Sequence, residues 1–338
     1  MDFSLFYFAD DSGTVEDDRY RLLLDGARFA DEHGFHAVWT PERHFHPFGG
    51  TYPNPSVTSA AIAAVTERVK IRAGSVVAPL HHPLRIAEEW AVVDNISRGR
   101  AGVSFASGWH AVDFALNPPA YADRRKVMYE RIEQVRALWR GEPIDAEDGK
   151  GVPAKVRSYP PPVQAEVPVW ITSVGDVETF RSAGRIRAGL LTHLIGQSAD
   201  QLAEKVVEYR KAAAEAHGWP GHVVVMVHTF LGEDNDAVRE QVRPSLTAYM
   251  RSSLGLILSS DGSGDLEPDE VDFLVERTFE HYFDNVGLLG SVDKAEKVAA
   301  RLADLGVDEI ACLIDFGLPT EEVLSGLAYL DRLRRSCG

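Results

Sequence analysis

Residues 37–55 read AVWTPERHFHPFGGTYPNP. Ala37–Thr40 is a short apolar run that suits a buried strand. Its character then changes within two residues. Glu42, Arg43, His44 and His46 follow, then an aromatic and glycine-rich loop, then Asn54-Pro55. Dense polar chemistry at the C-terminal end of an apolar strand is the arrangement of parallel-strand barrels, whose sites are built at that end.

Outward from this segment the pattern repeats. Apolar runs at Phe3–Phe8, Ala37–Thr40, Val69–Val77, Ala101–Ala106, Val169–Thr172, Gly189–Thr192, Val223–Phe230 and Glu309–Ile314 alternate with helical segments. The first helix, Tyr20–His33, carries Leu23, Ala27 and Ala30 on one face and stops at Gly34. Pro83 opens another, as proline does in a first helical turn. Eight strand–helix units in this length predict a single (β/α)8 TIM barrel over residues 1–338 with insertions. Residues 141–166, rich in Pro and Gly, read as a loop or small β excursion. Residues 254–270, containing SSDGSGD, read as a mobile lid insertion. A doubly wound sheet is the competing fold. Its glycine-rich turn is missing: ADDSG follows strand one, and no G-x-G-x-x-G, P-loop, H-E-x-x-H or G-x-S-x-G is found.

Composition narrows the class. The chain has 338 residues, 45% hydrophobic and 25% charged, with a net charge of −16. That balance argues against a nucleic-acid partner. Two cysteines, Cys312 and Cys337, have settings that give no reason to pair them and imply a reducing compartment. No apolar stretch reaches membrane-spanning length, and Met1-Asp2-Phe3 lacks a signal-peptide pattern, so a cytoplasmic location is expected.

Four strand ends carry chemistry. After strand two, Glu42, Arg43 and His44 suit acid–base work or ligand binding, or equally an ion-paired rim. A metal site on His44, His46, His81 and His82 lacks a spaced carboxylate–histidine set, and none is expected. After strand three, Ala73-Gly74-Ser75 are small enough for a flat ring to approach the backbone, or simply pack a barrel layer. After strand four, Ser107, Gly108 and Trp109 offer a hydroxyl, backbone donors and an aromatic wall, with Asp113 beyond. After strand five, Ser173 and Gly175, with the later Thr179, stand at the start of a helix whose N-terminus suits a phosphate. Asp176 there could instead be a plain helix cap. His82, His193 and His228 are candidates for the substrate side.

The segments AVWTPERHF, YPNP, APLHHPLRIAEEW, NISRGRAGVSFASGWH and AVDF together resemble the bacterial-luciferase-like flavin-dependent monooxygenases. PVWITSVGDVETFRSAG and GLLTHLIGQ extend the likeness toward the branch found beside polyketide and non-ribosomal peptide assembly lines. The resemblance implies a (β/α)8 barrel, commonly a homodimer. It implies FMN, used as FMNH2 delivered by a separate NAD(P)H:flavin reductase and reacting with O2, although some relatives use F420. It implies a cis peptide matching Gly74–Ser75. It puts Ala73, Gly74, Ser75, Ser107, Gly108 and Trp109 along the flavin, Ser173, Val174, Gly175 and Thr179 at its phosphate, and Glu42, Arg43, His44 and Asp113 among the catalytic groups. Arg43 stands where luciferase has its catalytic histidine, and Ala106 where it has a reactive thiol. An arginine stays protonated and cannot act as a base near neutral pH. It could anchor an anion or steady a peroxide.

Three functions follow as expectations. The first is a two-component FMN-dependent monooxygenase of secondary metabolism, acting on a small or carrier-protein-tethered substrate. The second is an F420-dependent hydride-transfer oxidoreductase. The third is a flavin-binding protein without turnover.

Overall fold

The computed structural model describes residues 1–9, 18–261 and 268–338. Eight apolar runs form strands: β1 Asp2–Phe6, β2 Ala37–Thr40, β3 Lys70–Val77, β4 Ala101–Ala106, β5 Val169–Thr172, β6 Gly189–His193, β7 Val223–Gly232 and β8 Glu309–Leu313. Each pairs in parallel with its successor, and β8 returns to β1, so the sheet closes on itself. Closure explains why these strands read as continuous apolar runs. One face packs into the barrel and the other under the helices, so little alternation survives. The expected (β/α)8 barrel is what forms.

The helices are α1 Arg21–His33, α2 Pro55–Val65, α3 Pro83–Ser97, α4 Arg124–Trp139, α5 Val177–Arg185, α6 Ala199–His217, α7 Asn235–Asp261, α8 Pro268–His281, α9 Val292–Asp304 and α10 Thr320–Ser336. Local chemistry sets their starts. The Asn54 side chain accepts from the backbone of Ser56 and Val57 at the head of α2, and Ser198 and Gln201 form a reciprocal capping box on α6. Residues 141–166 contain the antiparallel hairpin Ile144–Glu147 with Pro153–Val156.

Two features depart from the sequence reading. A short strand, Leu288–Ser291, pairs with Thr229–Gly232 beyond the closed ring; four residues ending in Gly-Ser gave no strand signal of their own. The insertion read over 254–270 is flanked by helix, α7 reaching Asp261 and α8 starting at Pro268. Its centre, 262–267, lies outside the described residues, as do residues 10–17.

The N-terminal pole of the barrel is closed by a buried polar cluster. Glu309, fully buried, accepts from Ser4 Oγ at 2.5 Å and Trp39 Nε1 at 2.9 Å on one oxygen, and from Arg72 Nη1 at 2.7 Å on the other. Arg72 lies between Trp39 and Trp170, its guanidinium carbon 4.8 and 4.3 Å from their ring centroids. Nη2 of Arg72 meets His36 Nε2 at 2.8 Å. Such a cluster fixes register, because a charged pair has one place where both partners are satisfied. It also leaves the opposite pole for chemistry.

Candidate active site

At the C-terminal pole the polar residues after β2 fold inward. Glu42 is fully buried as a side chain and serves three donors. Its Oε1 accepts from His44 Nε2 at 2.7 Å and His81 Nε2 at 2.5 Å, and its Oε2 from the Val77 amide at 2.7 Å. Burial works against its charge, but the two histidines and the Val77 amide outweigh it and hold the carboxyl below its usual range. For His81 the balance is reversed in sign. Burial lowers its pKa, Glu42 raises it more, and the net shift is upward. The ladder makes this possible: Thr40 pairs with Ala73, so the residues after β2 lie beside those after β3.

Of the four histidines weighed for a metal, two meet at Glu42. The ligand atoms of Glu42, His44 and His81 lie within 4.8 Å of one another and could hold an ion. The sequence reading found no carboxylate–histidine set, and the structure assembles this one, with both Glu42 oxygens also engaged by hydrogen bonds. His46 instead accepts from the Phe48 amide at 3.0 Å. His82 turns away: it is exposed and caps α3, accepting from the Leu84 amide. Its place ahead of Pro83 gives it that job.

Arg43 runs the other way, toward the loop after β4. Its Nη1 reaches Asp113 Oδ2 at 3.3 Å, and Asp113 Oδ1 meets His110 Nδ1 at 3.0 Å. The guanidinium lies 5.1 Å from the Trp109 ring centroid. Its Nε and Nη2 are buried without an acceptor among the described residues.

Between them lies a shelf of small residues. The Gly74–Ser75 peptide is cis, as the resemblance implies, and the β3–β4 ladder shifts register between Gly74 and Val76. Ser75 therefore leaves the ladder, and its hydroxyl donates to Thr172 Oγ1 at 2.6 Å, where Ser104 Oγ also lies within 2.6 Å. A Cβ on Gly74 would meet Phe6 Cε2 at 2.6 Å. Ala73 is fully buried beneath. Ala106, Ser107, Gly108, Thr172, Ser173 and Val174 are all half-buried, and Trp109 stands exposed beside them. Half-open small residues at the adjacent ends of β4 and β5, beside the buried Gly74 and Ser75 of β3, fit a planar ring laid across them. A packed barrel rim would bury them under larger side chains.

At the far end of the shelf the α5 N-terminus is capped from within the chain. Asp176 Oδ1 accepts from the Thr179 amide at 2.9 Å and from its hydroxyl at 3.1 Å, and Ser173 Oγ accepts from the Gly175 amide at 3.1 Å. Two cations flank this turn and come from other helices. Arg125 Nη1 reaches Asp176 Oδ2 at 3.2 Å, and Lys205 Nζ donates to the Val174 carbonyl at 3.0 Å. Sequence reasoning missed both, because nothing near residues 173–179 points to them.

The remaining rim combines apolar side chains with a few buried polar ones. His193 ends β6, accepts from the Ile195 amide at 3.2 Å, and is pushed down to about 4 by burial. His228 lies within β7 and is driven to about 3 by burial, so it is neutral. Tyr282 Oη contacts its Nδ1 at 3.1 Å; its Nε2 has no partner among the described residues. Tyr249 and Phe316 ring it, with centroids 4.7 and 5.6 Å away. A cavity of about 280 Å³ opens beside Tyr249, lined by Ile195, Met250, Leu254, Leu274 and Val275. Asp315, just past β8, was also missed. Burial pushes its carboxyl up to about 8, against donors from the Phe8 amide at 2.6 Å and Tyr52 Oη at 3.0 Å. The signal was available, since Asp315 is an acidic residue directly after an apolar strand.

The chain is similar to known proteins. The flavin-dependent trigonelline monooxygenase, oxygenase component, of Acinetobacter baylyi is 31% identical over 179 residues, 51% of this chain and 49% of that protein. The chain thus spans about half the length of that relative. The F420-dependent glucose-6-phosphate dehydrogenase of Nocardia farcinica is 27% identical over 74% of this chain and 78% of its own. The crystal structure of the monooxygenase RslO1 from Streptomyces bottropensis superposes with a TM-score of 0.81 over 98% of both chains, and at 24% identity that likeness speaks for the fold. The luciferase-like monooxygenase family model matches residues 1–321. A match running through nearly the whole barrel, rim and floor alike, places the chain in the luciferase-like monooxygenase family of oxidoreductases.

Proposed function

We propose that the chain is the oxygenase component of a two-component, FMN-dependent monooxygenase. The observation that carries the reading is the half-open shelf of small residues at the ends of β4 and β5, Ala106 to Gly108 and Thr172 to Val174, with buried Ser75 beside it and Trp109 and the α5 turn bounding it. A reduced flavin seated there supplies the oxygen activation. The chain's own residues do the rest. Ser75, Ser107 and Gly108 line the ring, while Ser173 and Gly175, with Arg125 and Lys205 nearby, hold the phosphate end. Glu42 keeps His44 and His81 fixed and protonated at Nε2, so that protons are available beside the shelf without bulk water. Asp113 orients Arg43 and His110. The apolar cavity by Tyr249 takes the substrate and keeps water out, which favours oxygen transfer over loss as peroxide. A separate NAD(P)H:flavin reductase feeds the cofactor, the enzyme works in the cytoplasm as a homodimer, and the substrate is a small molecule or a carrier-tethered group of secondary metabolism.

The test is a reductase-coupled assay in ¹⁸O₂. Substrate-dependent incorporation of one labelled atom is expected; failure across free and carrier-tethered substrates would count against the proposal. An F420-dependent hydride transfer on the same shelf is the second reading, and the Nocardia farcinica relative favours it because its match covers 74% of this chain. Titration with FMN and F420 separates them, since binding of F420 alone would replace the first reading with the second.

A further inference from the structure

Arg43 is a buried cation with at least three of its five N–H donors unused among the described residues. Its side chain is 4% exposed. One corner of the guanidinium, Nη1, has a single long contact with Asp113 at 3.3 Å. Nε and Nη2 have no acceptor among the described residues. These two nitrogens share one edge of the planar group, and their N–H bonds run parallel. That edge is the one that matches the two oxygens of a carboxylate. A buried donor left unpaired costs roughly 1–3 kcal/mol, and more when the group is charged. Two on one edge of a buried cation therefore mark a place where no acceptor stands among the described residues.

The surroundings hold that edge in position. A Cβ on Gly49 would meet Arg43 Cγ at 2.9 Å, so the stem is confined. Trp109 lies against the guanidinium at 5.1 Å, and His110 fixes the Asp113 carboxylate at 3.0 Å. Asp113 takes the far corner and leaves the fork clear. Burial lowers the guanidinium's pKa and Asp113 opposes this, so a second anion would relieve what Asp113 does only in part.

We propose that the free edge of Arg43 grips a carboxylate on the substrate, and that the compound oxygenated here is an organic acid. The inference rests on the oxygenase reading and names its substrate class. Arg43 then sets specificity: it positions the acid relative to the shelf and rejects neutral isosteres, whose amide or ester cannot satisfy both donors of a charged fork.

The test is binding, measured by calorimetry on the full chain with a panel of aromatic and aliphatic monocarboxylates, each paired with its primary amide and starting with benzoate and benzamide. At least one acid is expected to bind tenfold or more tightly than its amide. Arg43→Met should abolish that preference, and Arg43→Lys, which keeps charge without the fork, should restore only a minor part. Circular dichroism of each variant checks folding, and the neighbouring Asp113→Asn, which keeps Arg43, should retain a preference for acids. No acid in the panel outbinding its amide, or a preference that survives in folded Arg43→Met, would overturn the proposal. Cofactor titration on the same samples keeps the two readings apart. Flavin binding without acid preference sinks only the carboxylate clamp. Acid preference without cofactor binding or oxygen incorporation sinks the oxygenase reading.

Discussion

Glu309→Gln is the most informative single change in the barrel floor. The glutamate is fully buried, and burial alone would raise its pKa. Arg72, His222, His36 and the Ser4 hydroxyl overcome that and hold it at about 2, from an ordinary value of 4.5. The folded-state value is depressed, so its contribution to stability is complete above about pH 4.5 and is lost as the pH falls toward about 2. At about 1.4 kcal/mol per pH unit, it amounts to about 3 kcal/mol at neutral pH. A second route agrees. Removing one partner of a buried ion pair costs roughly 3–5 kcal/mol, because the other charge is left uncompensated. Glutamine mimics the protonated acid in shape, but Ser4, Trp39 and Arg72 all donate to Glu309, so its amide N–H₂ would face a donor. The assay is urea unfolding followed by circular dichroism, wild type against variant, from pH 7 to pH 2. A loss of about 3 kcal/mol at pH 7 is expected, narrowing below pH 4.5 until the two proteins nearly converge. Using the difference between them cancels the acid response of the buried neutral histidines, His193 and His228. A loss under about 1 kcal/mol at pH 7 would refute the reasoning, as would a difference that stays constant down to pH 2.

Three further outcomes are expected at the other pole. Glu42→Gln should cost about 2–3 kcal/mol, since one amide oxygen cannot serve His44, His81 and Val77 together. It should also lower the His81 pKa, which Glu42 now raises against burial. In the wild type the Glu42–His81 contribution is complete below about pH 6.5 and fades as pH rises through the elevated value; an unchanged His81 titration by NMR in the variant would contradict this. Gly74→Ala drives a Cβ to 2.6 Å from Phe6 and 3.3 Å from Trp39, both buried; overpacking of this kind costs roughly 1–3 kcal/mol, so a wild-type thermal midpoint would count against it. Asp176→Asn keeps the α5 cap but removes a charge from the proposed phosphate end. FMN affinity should rise about fivefold, since two charges 4 Å apart in water interact by about 1 kcal/mol; weaker binding by fluorescence titration would show that the phosphate sits elsewhere.

The barrel could be read from the sequence because each strand is a self-contained signal. Four to nine mostly apolar residues bounded by turn chemistry identify a run such as Val223–Phe230 without reference to any other part of the chain. The strand Leu288–Ser291 fails that test. It exists because the extended end of β7 offers it an edge, which is a tertiary fact. The site divides along the same line. Glu42 and His44 stood out because polar groups directly after an apolar strand are locally odd, and Asp315 carried the same signal unread. That Glu42 holds His81, 39 positions away, depends on β2 and β3 lying in one particular register. Arg125 and Lys205 reach the α5 turn from helices packed on either side of it. The floor is the extreme case: Arg72 and Glu309 are separated by 237 positions and meet only because the sheet closes. Any pair that closure alone brings together is invisible to a reading made along the chain, and here the ion pair of the barrel floor, Arg72 with Glu309, is such a pair. The sequence therefore exposes the strand ends where chemistry gathers, while the contacts that tune each group are written in the order in which the strands come round.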